Sequence, residues 1–130
     1  MSGRFLDSNV ILYLLDDGPK RITARALLAE GGEVSVQVLN EVLVNCRRKA
    51  GMDWDEAAAF LHGVRALCRV HPVTARTHDL GRALGQRYRL QVYDAMIVAA
   101  ALLAECDTLL SEDMQDGLRI ADLRIRNPFA

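Results

Sequence analysis

The chain has 130 residues, 51% of them hydrophobic and 25% charged, and its 16 basic and 17 acidic side chains leave a formal charge of −1. This composition excludes a disordered chain, and the length suits one domain spanning residues 1–130 rather than two independent cores. The charge balance excludes a global attraction to nucleic acid or to an acidic membrane, although 14 of the 16 basic residues are Arg, which suits local phosphate contacts.

Turn-forming residues divide the chain into short β-like segments and longer helix-like segments. The pattern predicts, in chain order, a strand, two helices, a strand, two helices, a strand, two helices and two strands. These are Arg4–Leu6, Ser8–Leu15, Pro19–Ala29, Glu33–Ser35, Val36–Lys49, a helix capped by Asp53 or Asp55 that runs to Leu67, Arg69–Val73, Thr77–Tyr88, Asp94–Leu103, Thr108–Leu110 and Leu123–Arg126. This alternation predicts an α/β three-layer sandwich with a mostly parallel central sheet of about five strands flanked by helices.

The sequence carries no sign of export or membrane insertion. No apolar run reaches the roughly 18 residues that a spanning helix requires, and the longest, Ala95–Ala104, predicts a buried helix. The first four residues show no hydrophobic signal region. Cys46, Cys68 and Cys106 form an odd, widely spaced set that suits reduced thiols. We therefore expect a cytoplasmic protein without membrane association.

Four acidic residues lie at or near the predicted carboxyl ends of the strands. Asp7 directly follows the first strand, and Asp113 lies three residues after the fourth. Asp94 begins a strongly apolar helix, and Glu41 lies two turns into the helix that Ser35 is expected to cap. Because sites in such sheets gather at the carboxyl ends of the strands, we expect these carboxylates to converge.

Each carboxylate also has a purely structural explanation. Asp7 and Asp94 suit helix N-caps, Glu41 suits a solvated helix position, and Asp113 suits a turn. Four like charges at one sheet edge would nevertheless repel one another and need a counter-charge. Mg²⁺ and Mn²⁺ prefer carboxylate oxygens, so the set as a whole predicts a divalent-cation site.

Four segments in order resemble the successive motifs of a PIN domain and, more closely, the VapC toxins of bacterial type II toxin–antitoxin modules. They are Leu6–Leu12, Ser35–Glu41, Tyr93–Ala101 and Leu110–Gly117. The segment Asn127–Phe129 resembles the family's terminal strand ending, so the resemblance covers nearly the full length. It implies an endoribonuclease that hydrolyses RNA phosphodiester bonds with Mg²⁺, or with Mn²⁺ as a substitute.

The resemblance also implies roles for the acidic residues. Asp7, Glu41, Asp94 and Asp113 match the family's acidic quartet. Asp7 and Asp94 are expected to contact the metal directly, with Glu41 and Asp113 acting through water or a second ion. Asp116 matches a further, variable acidic position.

Two other matches are polar rather than acidic. Ser111 matches a family hydroxyl that orients the site. Asn9 matches a polar position that orients Asp7 or a metal-bound water. Both residues are therefore expected to support the quartet.

The partners expected from the resemblance are a cognate VapB-type antitoxin and a second copy of the chain, in addition to the RNA substrate. Arg47, Arg48 and Lys49 end the helix that carries Glu41. They are expected either to hold RNA phosphates or only to complement the helix dipole.

Two alternative interpretations remain at this stage. A phosphoacceptor receiver domain also binds Mg²⁺ through aspartates, but it would need paired acidic residues after the first strand and a Lys after the last. Only Asp7 follows the first strand, and no Lys follows Lys49. A catalytically silent PIN-like module that binds RNA or protein would need no intact quartet, whereas all four acidic positions are filled here.

Overall fold

The sheet of the computed structural model, which describes residues 3–130, is built from six short strands. They are β1 (Arg4–Leu6), β2 (Gly32–Ser35), β3 (Cys68–His71), β4 (Thr108–Leu110), β5 (Arg119–Ile120) and β6 (Leu123–Arg126). Their order across the sheet is β3-β2-β1-β4-β6-β5, and all neighbours are parallel except β5 and β6. The mostly parallel α/β sheet predicted from the sequence is confirmed.

One strand was not predicted. The two residues of β5 pair antiparallel with β6 across a two-residue turn, in which Ala121 takes a left-handed φ of 52°. A strand of two residues cannot show the alternation of apolar and polar side chains by which strands are recognised in a sequence. The prediction of about five strands is therefore corrected to six.

Six helices cover the sheet within the described residues. They are α1 (Ser8–Leu12), α2 (Lys20–Ala29), α3 (Val36–Arg48), α4 (Trp54–Leu67), α5 (Ala75–Tyr88) and α6 (Val92–Leu103). The predicted helix Ser8–Leu15 ends at Leu12, because its last three residues tighten into a 3-10 turn. Met1 and Ser2, part of the segment for which the sequence predicts no signal region, lie outside the described residues.

Two helices start earlier than predicted, and capping explains one of them. Thr74 and Thr77 form a reciprocal capping box, so α5 begins at Ala75. The N-cap of α6 is Gln91, which places Asp94 in the first turn of the helix. The explanation of Asp94 as an N-cap is therefore wrong.

The interior is apolar on both faces of the sheet. Phe5, Leu109 and Ile125 are paired across three neighbouring strands and are fully buried. On one side, α6 is buried over Ala95–Ala101 and α5 packs closely along it. This burial holds the amino end of α6, and with it Asp94, at a fixed place beside the sheet.

The three cysteines are buried free thiols. Burial, together with the nearby charge of Glu33, raises the pKa of the Cys106 thiol to about 12. Because the thiolate is the reactive form, Cys106 is chemically inert at neutral pH. Among the described helices, none has the length and apolar character needed to cross a bilayer.

Parallel pairing brings the polar residues to one edge. Leu6 of β1 is aligned with Leu110 of β4, so the residues that follow, Asp7 and Ser111, emerge side by side. The Asp7 amide donates a hydrogen bond to the Leu110 carbonyl at 3.0 Å. On the other side of β1, β2 ends at Ser35, whose hydroxyl caps α3. The carboxyl edge therefore gathers the starts of α1 and α3 and the loop after β4.

Gly81 is expected to be essential for the packing of α5 on α6. A Cβ at this position would lie 2.6 Å from Met96 Sδ and 3.3 Å from Met96 Cα. Gly81→Ala should therefore lower the free energy of unfolding by roughly 1–3 kcal/mol through overpacking.

Gly63 is the matched control, since a Cβ there meets nothing within 4 Å on the exposed face of α4. Gly63→Ala should raise the free energy of unfolding by roughly 0.5–1 kcal/mol because Ala favours the helix. Urea denaturation of both variants measures the two effects. Equal shifts of the same sign would show that α5 and α6 do not require a glycine at their contact.

Candidate active site

Asp7 forms the floor of the candidate site, where it is only 2% exposed. Its Oδ2 accepts hydrogen bonds from Ser111 Oγ at 2.6 Å and from Asn9 Nδ2 at 3.2 Å. Its Oδ1 accepts the Ser8 backbone N–H at 2.7 Å, as an N-cap does for α1. The capping role expected for Asp7 and its position in the site are therefore compatible.

Charge interactions link the four predicted carboxylates in pairs, Asp7 with Glu41 and Asp94, and Asp94 with Glu41 and Asp113. Burial raises the pKa of Asp7 to about 6, and the charges of Glu41 and Asp94 contribute to the rise. Burial also raises the pKa of Asp94, followed by the charges of Asp113 and Glu41. Asp7 is buried, Glu41 and Asp94 are half-buried and Asp113 is exposed, so the cluster extends from a floor to a mouth.

Asn9 bridges the floor and the mouth. Its Nδ2 lies 3.2 Å from Asp7 Oδ2, 3.2 Å from Asp113 Oδ2 and 3.4 Å from Ser111 Oγ. Its Oδ1 accepts the Glu112 backbone N–H at 3.1 Å. One amide thus fixes the spacing of two carboxylates, which fits the orienting position suggested by the resemblance.

Ser111 is fully buried between the same two carboxylates. It donates to Asp7 Oδ2, and its oxygen accepts the Asp113 backbone N–H at 3.2 Å. The hydroxyl therefore holds both the floor of the site and the loop that carries Asp113.

Glu41 is held by two residues that the sequence analysis did not single out. Ser8 Oγ donates to Glu41 Oε1 at 2.8 Å, and Gln37 Nε2 donates to Glu41 Oε2 at 2.9 Å. The Gln37 contact has a sequence signal, since residues four apart on a helix are neighbours. The Ser8 contact joins α1 to α3, and no local sequence pattern predicts it.

The loop after β4 is tied to the 3-10 turn and to the end of the chain. Glu112 accepts hydrogen bonds from Lys20 and Tyr13, and both contacts lower the pKa of its carboxyl. The Tyr13 ring packs edge-on against Phe129 with centroids 4.7 Å apart. These contacts fix the loop that carries Asp113, and they place Phe129 beside the site.

The structure does not bring Asp116 into the acidic cluster through any described contact. Its Oδ1 accepts the Asn127 backbone N–H at 2.9 Å on the exposed turn before β5. Asp116 therefore holds the backbone that follows β6 in place.

The three basic residues at the end of α3 are placed differently from one another. Arg47 donates to the Met52 carbonyl at 2.9 Å, and its guanidinium lies 4.6 Å from the centre of the Trp54 ring. Arg48 is exposed, whereas Lys49 lines a cleft that reaches the acidic cluster. Of the three, Lys49 is the residue placed to meet a molecule in that cleft.

The donor set suits a hard divalent cation. Within residues 3–130, no three His, Cys, Asp or Glu side chains form a preorganised metal site. Mg²⁺ seldom needs one, because it keeps several waters and binds through one or two carboxylates together with substrate phosphates. Asp7 is a buried carboxylate whose pKa is raised in part by two neighbouring carboxylates, and a cation would relieve that repulsion.

The raised pKa of Asp7 predicts how the stability of the metal-free protein depends on pH. A carboxyl whose pKa rises on folding, here from 3.8 to about 6, stabilises the fold below the lower value, and this contribution is lost as pH rises through the upper one. Between about pH 4 and pH 7 in chelator, wild-type protein should therefore lose roughly 2 kcal/mol of unfolding free energy relative to Asp7→Asn. Urea titrations across this range provide the measurement. A difference that is constant with pH would contradict the assignment.

Comparison with known proteins gives a family and a set of structural neighbours. The PIN domain family model matches residues 4–121. A toxin–antitoxin complex from Klebsiella pneumoniae is 22% identical, with a TM-score of 0.73 over 97% of this chain and 98% of that chain. DNA-bound VapBC from Salmonella typhimurium is 19% identical, with a TM-score of 0.72 over 98% of this chain and 99% of that chain.

A third neighbour is VapC20 of Mycobacterium tuberculosis, a sarcin–ricin-loop-cleaving toxin. It is 21% identical, with a TM-score of 0.67 over 82% of this chain and 86% of that chain. Among curated protein sequences, none matches this chain significantly. Because the sequence identities to these three structures are only 19–22%, the similarity shows a shared fold.

Proposed function

Because this chain belongs to the PIN domain family, we propose that it is the VapC-type toxin of a type II toxin–antitoxin module and cuts RNA as a metal-dependent endoribonuclease. The observation that carries the proposal is the buried Asp7 at the carboxyl edge of the sheet, which Ser111 and Asn9 hold while Asn9 also contacts Asp113. The toxin–antitoxin structures among its neighbours support the toxin assignment.

In this proposal, Asp7 and Asp94 would hold the cation directly, and Glu41 and Asp113 would act through water or a second ion. When bound, Mg²⁺, or Mn²⁺ in its place, would supply a water of lowered pKa and neutralise charge on the scissile phosphate. Without a cation, the four carboxylates would repel a phosphodiester. Cleavage should therefore require a divalent cation.

The supporting residues keep the carboxylates in place. Three donors fix Asp7: Ser111, Asn9 and the Ser8 N–H. Asn9 also holds Asp113. Since these contacts exist before substrate arrives, little reorganisation is needed when RNA binds.

Residues 1–130 are proposed to form one PIN domain that acts in the cytoplasm, pairs with a second copy and is inhibited by a VapB-type antitoxin. The neighbours include complexes of toxin with antitoxin, which supports the antitoxin as a partner. The alternative function is a catalytically silent PIN-like module that binds RNA or protein. Such a module would need no metal, and within residues 3–130 no three potential metal ligands form a preorganised group.

One experiment separates the two functions. Purified, antitoxin-free protein is incubated with total cellular RNA in Mg²⁺, in Mn²⁺ and in EDTA, and the new RNA ends are mapped by sequencing. Discrete cuts that require metal would support the nuclease and identify its substrate. RNA binding of equal strength in metal and in EDTA, with no cuts from folded protein, would favour the silent module.

A further inference from the structure

We propose that Gln37 is a positioning residue of the acidic cluster, which holds Glu41 by a neutral hydrogen bond and so leaves its negative charge available to a divalent cation; this inference rests on the proposed function. Gln37 lies one turn before Glu41 on α3, and its Nε2 donates to Glu41 Oε2 at 2.9 Å. Ser8 Oγ, from α1, donates to the other oxygen, Oε1, at 2.8 Å. The two donors therefore hold the carboxylate from different helices.

The kind of partner distinguishes Glu41 from the other glutamates of similar burial. Three glutamates in the described part of the chain are half-buried. Glu33 faces the His71 ring at 2.6 Å. Glu112 is paired with the Lys20 ammonium. Glu41 has a donor on each oxygen but no ion-pair partner among the described residues, so its charge is oriented without being neutralised.

The floor of the cluster is held in the same way. The three donors to Asp7 are the Ser111 hydroxyl, the Asn9 amide and the Ser8 backbone N–H, and all of them are neutral. Neither Asp7 nor Asp94 takes part in an ion pair within residues 3–130. The protein thus places these carboxylates and leaves their repulsion to be relieved by a bound cation.

Two changes at Gln37 separate the effect of the donor from the effect of charge. Gln37→Met removes the donor while keeping a side chain of similar length. Gln37→Lys keeps a donor beside Glu41, since residues four apart on a helix are neighbours, but it adds a positive charge. That charge would balance the carboxylate from within the protein and oppose a second cation. Both changes should therefore weaken the binding of a divalent cation, for different reasons.

In cleavage assays, both variants should need more Mg²⁺ than the wild-type protein. The half-saturating concentration should rise by about tenfold or more, because loss of an outer partner of a metal ligand typically costs 10–100-fold in affinity or activity. The maximal rate at saturating Mg²⁺ should change far less, since Gln37 contacts Glu41 rather than the RNA.

Two measurements on the protein without RNA give independent evidence. Binding of Mn²⁺, followed by the EPR signal of the free ion, should weaken in both variants by a factor similar to the change in the Mg²⁺ requirement. In EDTA, Gln37→Lys should raise the melting temperature by roughly 2–4 °C, because its charge relieves the repulsion among the carboxylates. Gln37→Met should not raise it. Greater stability combined with weaker metal binding is what a position kept neutral for a cation predicts.

The matched control is Gln86, an exposed glutamine on α5. Gln86→Met and Gln86→Lys make the same chemical changes and should leave both the Mg²⁺ requirement and Mn²⁺ binding unchanged. A second control tests whether Gln37 acts through Glu41. In protein that already carries Glu41→Gln, the addition of Gln37→Met should weaken Mn²⁺ binding no further.

The outcomes for Gln37 and for the nuclease are distinguishable. Weaker Mn²⁺ binding by the Gln37 variants of a folded protein that cuts no RNA would support the role of Gln37 and contradict the nuclease. Metal-dependent cuts by the wild-type protein, with Gln37 and Gln86 variants alike in Mg²⁺ requirement and Mn²⁺ binding, would overturn the role of Gln37 alone. An equal loss of Mn²⁺ binding with and without Glu41→Gln would also overturn it, because Gln37 would then act on the fold.

Discussion

Asp94→Asn is expected to lower the rate of RNA cleavage at saturating Mg²⁺ by about 10³-fold or more while leaving the protein folded. The proposed role of Asp94 is direct metal contact, and loss of even an outer partner of a metal ligand typically costs 10–100-fold. The change removes one charge from a cluster in which burial, Asp113 and Glu41 already raise the pKa of Asp94. The folded state should therefore tolerate the neutral amide.

The control for this prediction is Asp79→Asn, which removes an equal charge from an exposed position on α5. Single-turnover cleavage of the mapped RNA gives both rates, and thermal unfolding verifies that both variants are folded. If the two variants cut at the same rate, Asp94 does not take part in catalysis.

Ser111→Ala is expected to reduce both stability and activity. The hydroxyl donates to Asp7 and accepts the Asp113 backbone N–H, so its removal costs the buried Asp7 carboxylate one of its three donors. This should lower the free energy of unfolding by roughly 1–3 kcal/mol. Because Asp7 and Asp113 lose a shared anchor, cleavage should slow by about 10–100-fold. Urea denaturation and cleavage rates measure the two effects.

Two further results separate this positioning role from simple destabilisation. The Ser111 hydrogen bond lowers the pKa of Asp7, so its loss should move the acidic limb of the pH–rate profile to higher pH. Thr74→Ala removes the cap of α5, a loss of comparable stability at a distance from the acidic cluster. An unshifted pH profile, or an equal slowing in Thr74→Ala, would contradict the role given to Ser111.

The order of strands and helices was predictable because each long element carries its own periodic pattern. The seven apolar residues of α6 from Ala95 to Ala101 mark a buried helix, and Asp7 and Asp113 follow apolar strands whose alignment is typical of a parallel sheet. The expectation that the four carboxylates converge followed from that topology. Their proposed catalytic roles came instead from resemblance to a family.

The contacts that complete the site could not be predicted, since they join segments far apart in the chain. Ser8 meets Glu41 across two helices, and Asn9 reaches Asp113 through more than a hundred intervening residues. No feature of the local sequence distinguishes Arg47 from Lys49. Arg47 is held by Met52 and Trp54, whereas Lys49 lines the cleft that reaches the acidic cluster. Such assignments depend on how the helix ends pack, which periodicity does not specify.

Whether the acidic site needs a metal is decided by the rate at which wild-type, antitoxin-free protein cuts its mapped RNA as Mg²⁺ is removed and restored. We expect a rate in EDTA no higher than that of buffer alone, and a saturable return of activity when Mg²⁺ is added back. Cleavage at the same sites and at an undiminished rate in EDTA would contradict a metal-dependent acidic site.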